Sequence, residues 1–392
     1  MQRERLSHMN IALLEHMIGI PSMFPDETAL GDLLYAELQA IGWTVTKQQV
    51  ADHRFNVLAE CGTGDRALMF YGHLDTVPAY GAWDSDPYVL TPQGDRLIGL
   101  GASDMKGGLY VILEAARDLT LSPDRKVKIA FCVDEENESV GAYALSADPF
   151  LDDVELIISA EIGDAATRQP QDIPCVVLGR RGRVGLTISV PGISAHGATP
   201  EQGVSAILEA YRFIEALAAM PMPSHPKLGQ GTQYIQEIQA KSGSLSLPDR
   251  CDLYLSRLLV PPETPESALQ EVQRYIARLY AQQHVVPRQG KRAVVTFAER
   301  GTPYYRPYIT DETAPPVKKF LHRLTTKHFP NVSLGYGRSV ADENIFGGIN
   351  AIPTVTLGPR GGNEHSANEW VSHQSLARLI PVYRDLMQNL EI

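Results

Sequence analysis

The side chains best suited to chemistry begin with His73 and Asp75, which follow an apolar run at Ala67–Phe70. Residues two positions apart in an extended chain point to the same face, so the imidazole and the carboxylate should lie side by side. A metal-bound histidine usually donates its second ring N–H to an acceptor such as a carboxylate. Asp75 is therefore expected to act either on His73 or on a catalytic base nearby. The alternative is a turn that carries a surface histidine.

Two further acidic segments follow along the chain. Asp104 lies among glycines at the mouth of a predicted helix, where glycine lets a ligand approach the backbone. A helix cap or a phosphate loop are the alternatives, but the GxxxxGK[ST] pattern is absent. Asp134, Glu135 and Glu136 stand together after the apolar run Val127–Cys132. Such neighbours repel one another unless positive charge lies among them, which a metal pair would supply; a solvated acidic loop is the alternative.

Glu161 and His365 complete the set of candidate ligands. They follow apolar runs at Leu156–Ser159 and Ile352–Leu357. Ligands of α/β folds gather at the carboxyl ends of strands, so we expect these segments to converge. Histidines and carboxylates without cysteine suit Zn, Mn or Co better than a thiolate structural site.

The elements that must position these residues follow two patterns. Strands alternate with helices over the first part of the chain, which predicts an α/β sheet. The pattern changes near Gly179, where four strand-like runs and two helical stretches predict a small α+β layer. The α/β pattern resumes afterwards, so the layer is an insertion. We predict one domain formed by residues 1–179 and 299–392, and an inserted domain at residues 180–298.

Five motifs, in this order, resemble those of the di-zinc aminoacylase, acetylornithine deacetylase, succinyl-diaminopimelate desuccinylase and carboxypeptidase-G family. They are HLDTVP at 73–78, GASDMKGG at 101–108, DEE at 134–136, AEIGD at 160–164 and GPRGGNEHSANEW at 358–370. The resemblance covers nearly the whole chain, including GISAHGATP at 192–200 in the insertion. It implies a mixed-sheet, zinc-exopeptidase-like catalytic domain and an inserted ferredoxin-like domain that serves as lid and dimerisation surface.

The resemblance also implies a metal site. His73 and Glu161 would hold one divalent cation, Glu136 and His365 would hold a second, and Asp104 would bridge the two. The ions would be zinc, with cobalt or manganese as alternatives. The peptide bond that follows Asp104 would be cis.

The implied reaction is metal-dependent hydrolysis of the amide bond of an N-acyl amino acid, as in acetylornithine or acetyl-lysine deacetylation. A metal-bridging hydroxide would attack, with Glu135 as general base, Asp75 orienting the imidazole, and His196 of the partner subunit stabilising the oxyanion. A di-zinc exopeptidase, either dipeptidase or carboxypeptidase, is the alternative on the same site. Glutamate at position 161 is typical of the deacylases of this family and favours the first reaction. A metal-binding protein without catalysis is disfavoured, because Glu135 has no role as a ligand.

Substrate contacts are expected from arginine, whose guanidinium matches a carboxylate with two hydrogen bonds. Arg181 and Arg257 in the insertion are candidates, although Ser256 replaces the aspartate that relatives often have before the arginine. Arg183 is a further candidate. Arg338, Asp342 and Asn344, in the segment GRSVADEN, resemble a substrate-side loop. Surface charge is the alternative for each arginine.

The amino-acid composition limits the kinds of molecule that the protein is expected to bind. The formal net charge of −11 disfavours nucleic acid and an anionic membrane surface, because phosphate contacts need clustered lysine and arginine. The four cysteines are dispersed and predict reduced thiols rather than a disulfide framework. No run of about 18 apolar residues predicts a membrane span. We expect a cytoplasmic enzyme that acts on a small molecule and forms a homodimer through the inserted domain.

Overall fold

The computed structural model describes residues 10–162, 175–243 and 245–392. The chain divides into two compact units. The larger unit comprises Met1–Arg180, Ile309–Gly337 and Ala341–Ile392. The inserted unit comprises Arg181–Tyr308 and Arg338–Val340. The predicted fold class, an α/β fold with a mixed sheet and an α+β insertion, is confirmed.

The first part of the larger unit supplies most strands of its main sheet. Its elements are α1 (Ala12–Ile18), α2 (Thr28–Ala40), β1 (Thr44–Ala51), β2 (Arg54–Gly62), β3 (Ala67–His73), β4 (Thr91–Gln93), β5 (Arg96–Ile98), α3 (Gly107–Ala116), β6 (Lys126–Cys132), α4 (Val140–Ser146), β7 (Val154–Ser159) and β8 (Cys175–Arg180). Every residue of β3 is buried, as expected for a parallel strand covered on both faces.

The inserted unit is an antiparallel sheet with two helices. Its elements are β9 (Gly182–Pro191), α5 (Ala206–Ala218), β10 (Ser224–His225), β11 (Gly229–Gln230), β12 (Thr232–Gln239), β13 (Arg250–Leu259), α6 (Pro265–Ala281) and β14 (Val294–Phe297). The four-stranded sheet has the order β12-β13-β9-β14. Alternate residues of β9, from Val184 to Val190, pack with the apolar faces of α5 and α6 in a separate core. The Thr264 hydroxyl accepts a hydrogen bond from the Ser267 N–H and so caps the start of α6.

The chain then returns to the larger unit. The remaining elements are β15 (Tyr308–Ile309), α7 (Pro315–Lys327), β16 (Ser333–Gly337), α8 (Glu343–Gly348), β17 (Thr354–Thr356), β18 (Gly361–Gly362), β19 (Trp370–Ser372) and α9 (His373–Asn389). Strand β17 lies within the apolar run Ile352–Leu357, and helices α7 and α9 accompany the last strands, so the α/β pattern resumes after the insertion as predicted.

Strand order explains how distant segments converge. The main sheet has the order β1-β2-β6-β3-β7-β17-β8-β15, with β16 paired to β8. The neighbours β6, β3, β7 and β17 run parallel, whereas β2 is antiparallel to β6, so the sheet is mixed. The carboxyl ends of the four parallel strands therefore meet at one edge, where ligands of α/β folds bind.

A second, small sheet was not predicted. Its order is β18-β19-β5-β4, and Trp370 of β19 pairs with Ile98 of β5. This pairing joins the segment after β18 to the glycine-rich loop after β5. Among the described residues, no helix is long and apolar enough to cross a membrane.

Candidate metal centre

The side chains singled out in the sequence meet at the carboxyl edge of the main sheet. His73 is the last residue of β3, Glu136 follows β6, and Glu161 follows β7. Asp104 lies between β5 and α3, and His365 lies between β18 and β19. Within the described part of the chain, His73, Asp104 and Glu136 offer donor atoms that all lie within 4.8 Å of one another. Gly163 and Asp164 of the AEIGD motif lie outside the described residues.

Asp104 stands between two histidine–carboxylate pairs. Its Oδ1 lies 3.0 Å from His73 Nε2, and its Oδ2 lies 3.4 Å from His365 Nε2. His73 Nε2 is also 3.2 Å from Glu161 Oε2, and His365 Nε2 is 3.0 Å from Glu136 Oε2. Two ligand atoms bound tetrahedrally at zinc distances are separated by about 3.3 Å. The spacing therefore fits two ligand sets that share the Asp104 carboxylate. The peptide bond from Asp104 to Met105 is cis, as the resemblance implies.

The electrostatics of the cluster also fit bound cations. Burial raises the pKa of Glu161 to about 8 and also raises the pKa of Glu136, with Asp104 adding to both shifts. Hydrogen bonds to Asp104 and Glu136 raise the pKa of His365 to about 11. Burial lowers the pKa of His73, but hydrogen bonds to Asp104, Asp75 and Glu161 outweigh it and raise the pKa overall. Buried carboxylates this close together repel one another when they are ionised. Divalent cations bound among them would supply the positive charge that stabilises the ionised form.

Asp75 acts on two sets of partners. The His73 Nδ1 atom lies 3.0 Å from the Asp75 main-chain oxygen and 3.5 Å from its Oδ1. The Asp75 carboxylate accepts hydrogen bonds from the main-chain N–H groups of Glu135 at 3.0 Å and Glu136 at 2.9 Å. Asp75 thus contacts the imidazole mainly through its backbone and fixes the glutamate pair through its side chain. Both of the roles considered for Asp75 from the sequence have a physical counterpart.

Glu135 lies at the cluster without belonging to either ligand pair. Burial raises its pKa well above the ordinary range, and the nearby Glu136 adds to the shift. The preceding residue, Asp134, is buried and accepts hydrogen bonds from Arg54 and from the main-chain N–H groups of Glu138 and Val140. The turn that presents Glu135 is therefore held on both sides.

Arg257, a predicted substrate contact, is buried in the inserted unit. Its side chain is 0% exposed, because residue 257 points to the same side of β13 as Leu255 and Leu259. Its Nη2 forms ion pairs at 2.5 Å with Glu263 and with Glu271. The Nη2 atom of Arg257 thus belongs to an ion network inside the inserted unit.

The other predicted substrate contacts are dispersed. Arg181 is buried and donates two hydrogen bonds to the Leu228 carbonyl, and Arg183 donates to the Ser256 hydroxyl at 3.4 Å. Asn344 is buried at the start of α8, where its Oδ1 accepts the Ala341 N–H. Arg338 is exposed and grouped with the inserted unit. His196 is exposed, and its Nδ1 accepts the N–H of Ala198 at 3.1 Å.

Two further acidic residues of the larger unit contact the site, of which Asp342 was predicted only as part of a substrate-side loop and Glu369 was given no role. Asp342, in the GRSVADEN segment, is buried, accepts the hydroxyl of Tyr71, and has its pKa raised to about 7 by burial. Glu369, in the GPRGGNEHSANEW motif, accepts hydrogen bonds from the loop that carries Asp104. The only sequence signal for these contacts was an acidic residue within a motif that had already been singled out. Asp342 and Glu369 are about as far along the chain from their hydrogen-bond partners as the candidate ligands are from one another.

Comparison with known proteins agrees with this geometry. The model of peptidase family M20/M25/M40 matches residues 69–389. Acetylornithine deacetylase from Erwinia tasmaniensis is 34% identical over 221 residues, which are 54% of this chain and 55% of that protein. The chain thus matches little more than half the length of this relative.

Solved structures share the fold. The aminopeptidase PepT from Bacillus cereus superposes with a TM-score of 0.76 at 19% identity, over 98% of both chains. A dinuclear metal-binding peptidase of family M20 from Bacillus subtilis superposes with a TM-score of 0.70 at 16% identity, over 98% of this chain and 97% of that one.

Proposed function

This chain belongs to peptidase family M20/M25/M40 and is a metal-dependent amidohydrolase, and we propose that it removes the acyl group from an N-acyl amino acid. One observation carries the proposal. The Asp104 carboxylate directs one oxygen to the His73–Glu161 pair and the other to the His365–Glu136 pair. That arrangement supports two divalent cations that share one bridging ligand.

The ligand set supports zinc, with cobalt or manganese as alternatives, because imidazole and carboxylate suit all three ions. When bound, such ions supply Lewis acidity that activates water and polarises an amide carbonyl. The chain's own groups fix where this happens. Asp104 sets the separation of the two ligand pairs, and Asp75 holds both the imidazole of His73 and the backbone of Glu136.

Glu135 is the proposed general base. Its carboxyl group is buried beside the two ligand pairs and belongs to neither, which suits a group that accepts a proton from water and returns it to the departing amine. Its main-chain N–H is held by Asp75, so its position does not depend on ligation. Glu135 therefore takes up and releases the same proton. It accepts the proton from water, and it gives the proton to the amine nitrogen as the C–N bond breaks.

The acyl amino acid is favoured as substrate over a peptide. The relative from Erwinia tasmaniensis is an acetylornithine deacetylase, and Glu161 is the residue that deacylases of the family typically have at this position. Exopeptidase activity on the same centre is the alternative. The two reactions share water activation and differ in the acyl side of the amide.

His196, Arg338 and Asn344 are proposed to complete the site around the substrate. His196 of the partner subunit would donate a hydrogen bond to the oxyanion, which typically contributes about 10²–10³ in rate. Arg338 and Asn344 would contact the amino-acid portion. Arg181 and Arg257 remain predicted contacts; within the inserted unit Arg181 donates to the Leu228 carbonyl, and Arg257 Nη2 pairs with Glu263 and Glu271.

A homodimer through the inserted unit is part of the proposal. Strand β12 is an edge strand, and edges with unpaired backbone groups readily pair with a second copy. Large apolar side chains are exposed on β12 and α5: Ile207, Leu208, Tyr211, Tyr234 and Ile238. Light scattering of the wild type and of Leu208→Glu tests this, since a dimer should dissociate in the variant. A monomeric wild type would contradict it.

The reaction is tested by amine release from N-acetyl, N-succinyl and N-formyl amino acids beside a set of dipeptides. Metal-stripped protein is compared with protein resupplied with zinc, cobalt or manganese. We expect metal-dependent cleavage of at least one acyl amino acid and weaker cleavage of dipeptides. Cleavage of dipeptides alone would favour the exopeptidase, and cleavage by the stripped protein would contradict the metal centre.

A further inference from the structure

Glu369 binds the backbone of the loop that carries Asp104. Its side chain is 2% exposed. One carboxylate oxygen accepts the main-chain N–H groups of Ser103 and Asp104, both at 2.8 Å, and the other accepts the N–H of Gly101 at 2.8 Å. Gly101 has a φ of 74°, a conformation that glycine adopts without strain. Three N–H groups thus converge on one buried carboxylate.

The backbone around Glu369 ties the same two segments together. The main-chain oxygen of Glu369 accepts the N–H of Gly99 at 3.0 Å. The Ser103 hydroxyl donates to Glu364 Oε1 at 3.0 Å. A Cβ on Gly361 would lie 1.9 Å from the Ser103 hydroxyl oxygen, so the segments are in tight contact. His365 lies in the chain between Glu364 and Glu369, so the contacts that fix Asp104 flank the other histidine ligand.

We propose that Glu369 is a positioning residue that sets the distance between the shared ligand Asp104 and His365. The inference rests on the proposed metal centre but not on the identity of the substrate. A carboxylate is required because all three partners are N–H donors. A glutamine would direct its own NH₂ group towards at least one of them, and an aspartate is one methylene too short to reach all three.

The test compares the full-length wild type with Glu369→Gln and with a matched control, Asp385→Asn. Asp385 is a partly buried carboxylate with several donors, which are Arg323 and His328, on and beside α7, and Asn389 of α9. Zinc binding to stripped protein is followed by calorimetry, and the cobalt form by its visible spectrum. Hydrogen exchange of residues 99–106 is measured in the metal-free protein.

For Glu369→Gln we expect ion affinity to fall by about 10–100-fold, as is typical when a group behind a metal ligand is lost. The cobalt spectrum should change, and amides 101–104 should exchange faster even without metal. Asp385→Asn should lose stability but keep the wild-type affinity, spectrum and exchange in that segment.

Wild-type ion affinity and cobalt spectrum in Glu369→Gln would overturn the inference, even if its melting temperature fell. If that variant fails to fold, Glu369→Asp replaces it. It keeps the charge and should show a smaller loss of affinity with the same spectral change, whereas unchanged binding would again overturn the inference. All three measurements are made without substrate. Inactivity of the wild type would therefore contradict the proposed function without affecting the test of Glu369.

Discussion

The two units both bury charged groups, but they balance them differently. In the inserted unit, Arg257 pairs with both Glu263 and Glu271, so each of these carboxylates faces a cationic group of the chain itself. In the larger unit, Asp104 and its neighbouring glutamates face histidines and one another, and burial raises the pKa values of Glu136 and Glu161. A buried network in which every carboxylate pairs with an arginine of the chain serves the fold. Buried carboxylates that crowd one another without such a cation mark a candidate place for an external cation.

The largest effect should come from Glu135→Gln. The change removes the proton acceptor and keeps every ligand of the two proposed ions, so kcat should fall by about 10²–10⁴-fold. Metal content should stay at the wild-type value, measured by atomic emission alongside steady-state kinetics. Glu138→Gln, in the same turn, is the control and should leave kcat unchanged. Retained activity in Glu135→Gln would remove the general base from the account.

The substitution Arg257→Met tests how the inserted unit stabilises its buried charged groups. Removing the cation leaves Glu263 and Glu271 uncompensated, so the free energy of unfolding should fall by about 3 kcal/mol. Values of kcat and KM that stay unchanged in the folded enzyme would contradict Arg257 as a substrate contact. Denaturant unfolding and kinetics measure the two quantities.

Arg250→Met is the matched control. Its guanidinium is 66% exposed and pairs with Asp252, so the loss should be below about 1 kcal/mol. An increase of KM in Arg257→Met with unchanged stability would support Arg257 as a substrate contact.

A smaller effect than that of Arg257→Met is expected for Asp385→Asn, in an ion-pair network of the larger unit. Burial disfavours ionisation of Asp385, but hydrogen bonds from Arg323, His328 and Asn389 outweigh it and lower its pKa. A lowered carboxyl pKa stabilises the fold above the unfolded pKa of about 3.9, and this contribution is lost as pH falls below it. The variant should lose about 1–2 kcal/mol at pH 7. Denaturant unfolding should show the difference shrinking below about pH 4, and a difference independent of pH would contradict the assignment.

The fold and the ligands were readable from the sequence because strand ends and metal ligands are local signals. His73 and Glu161 each follow an apolar run, and parallel strands bring such ends together. The burial of Arg257 was not predicted, although its register was visible in the sequence. It alternates with Leu255 and Leu259, which places it on the core side of β13. A basic residue at a strand position that alternates with apolar residues indicates a buried ion pair. For Arg257 this pattern was a better guide to the position of the side chain than the ability of arginine to bind a substrate carboxylate.

The contacts of Glu369 and Asp75 could not be predicted from local sequence patterns. The N–H donors of Glu369 lie more than 250 residues earlier in the chain, and the pairing of β19 with β5 that brings them together involves three residues. The spacing of His73 and Asp75 indicated contact between the side chains. The main-chain oxygen of Asp75 makes the closer contact, because its carboxylate is occupied by the N–H groups of Glu135 and Glu136.

The most direct test of the central claim is a zinc titration of the metal-stripped full-length protein. Bound zinc and the rate of release of amine from the best acyl amino acid are measured at each step, for the wild type and for Asp104→Ala. The account predicts two ions per chain, hydrolysis that appears only with bound metal, and loss of both ions and activity in the variant. Hydrolysis by the stripped protein, or two tightly bound ions in Asp104→Ala, would contradict a centre built on one shared carboxylate.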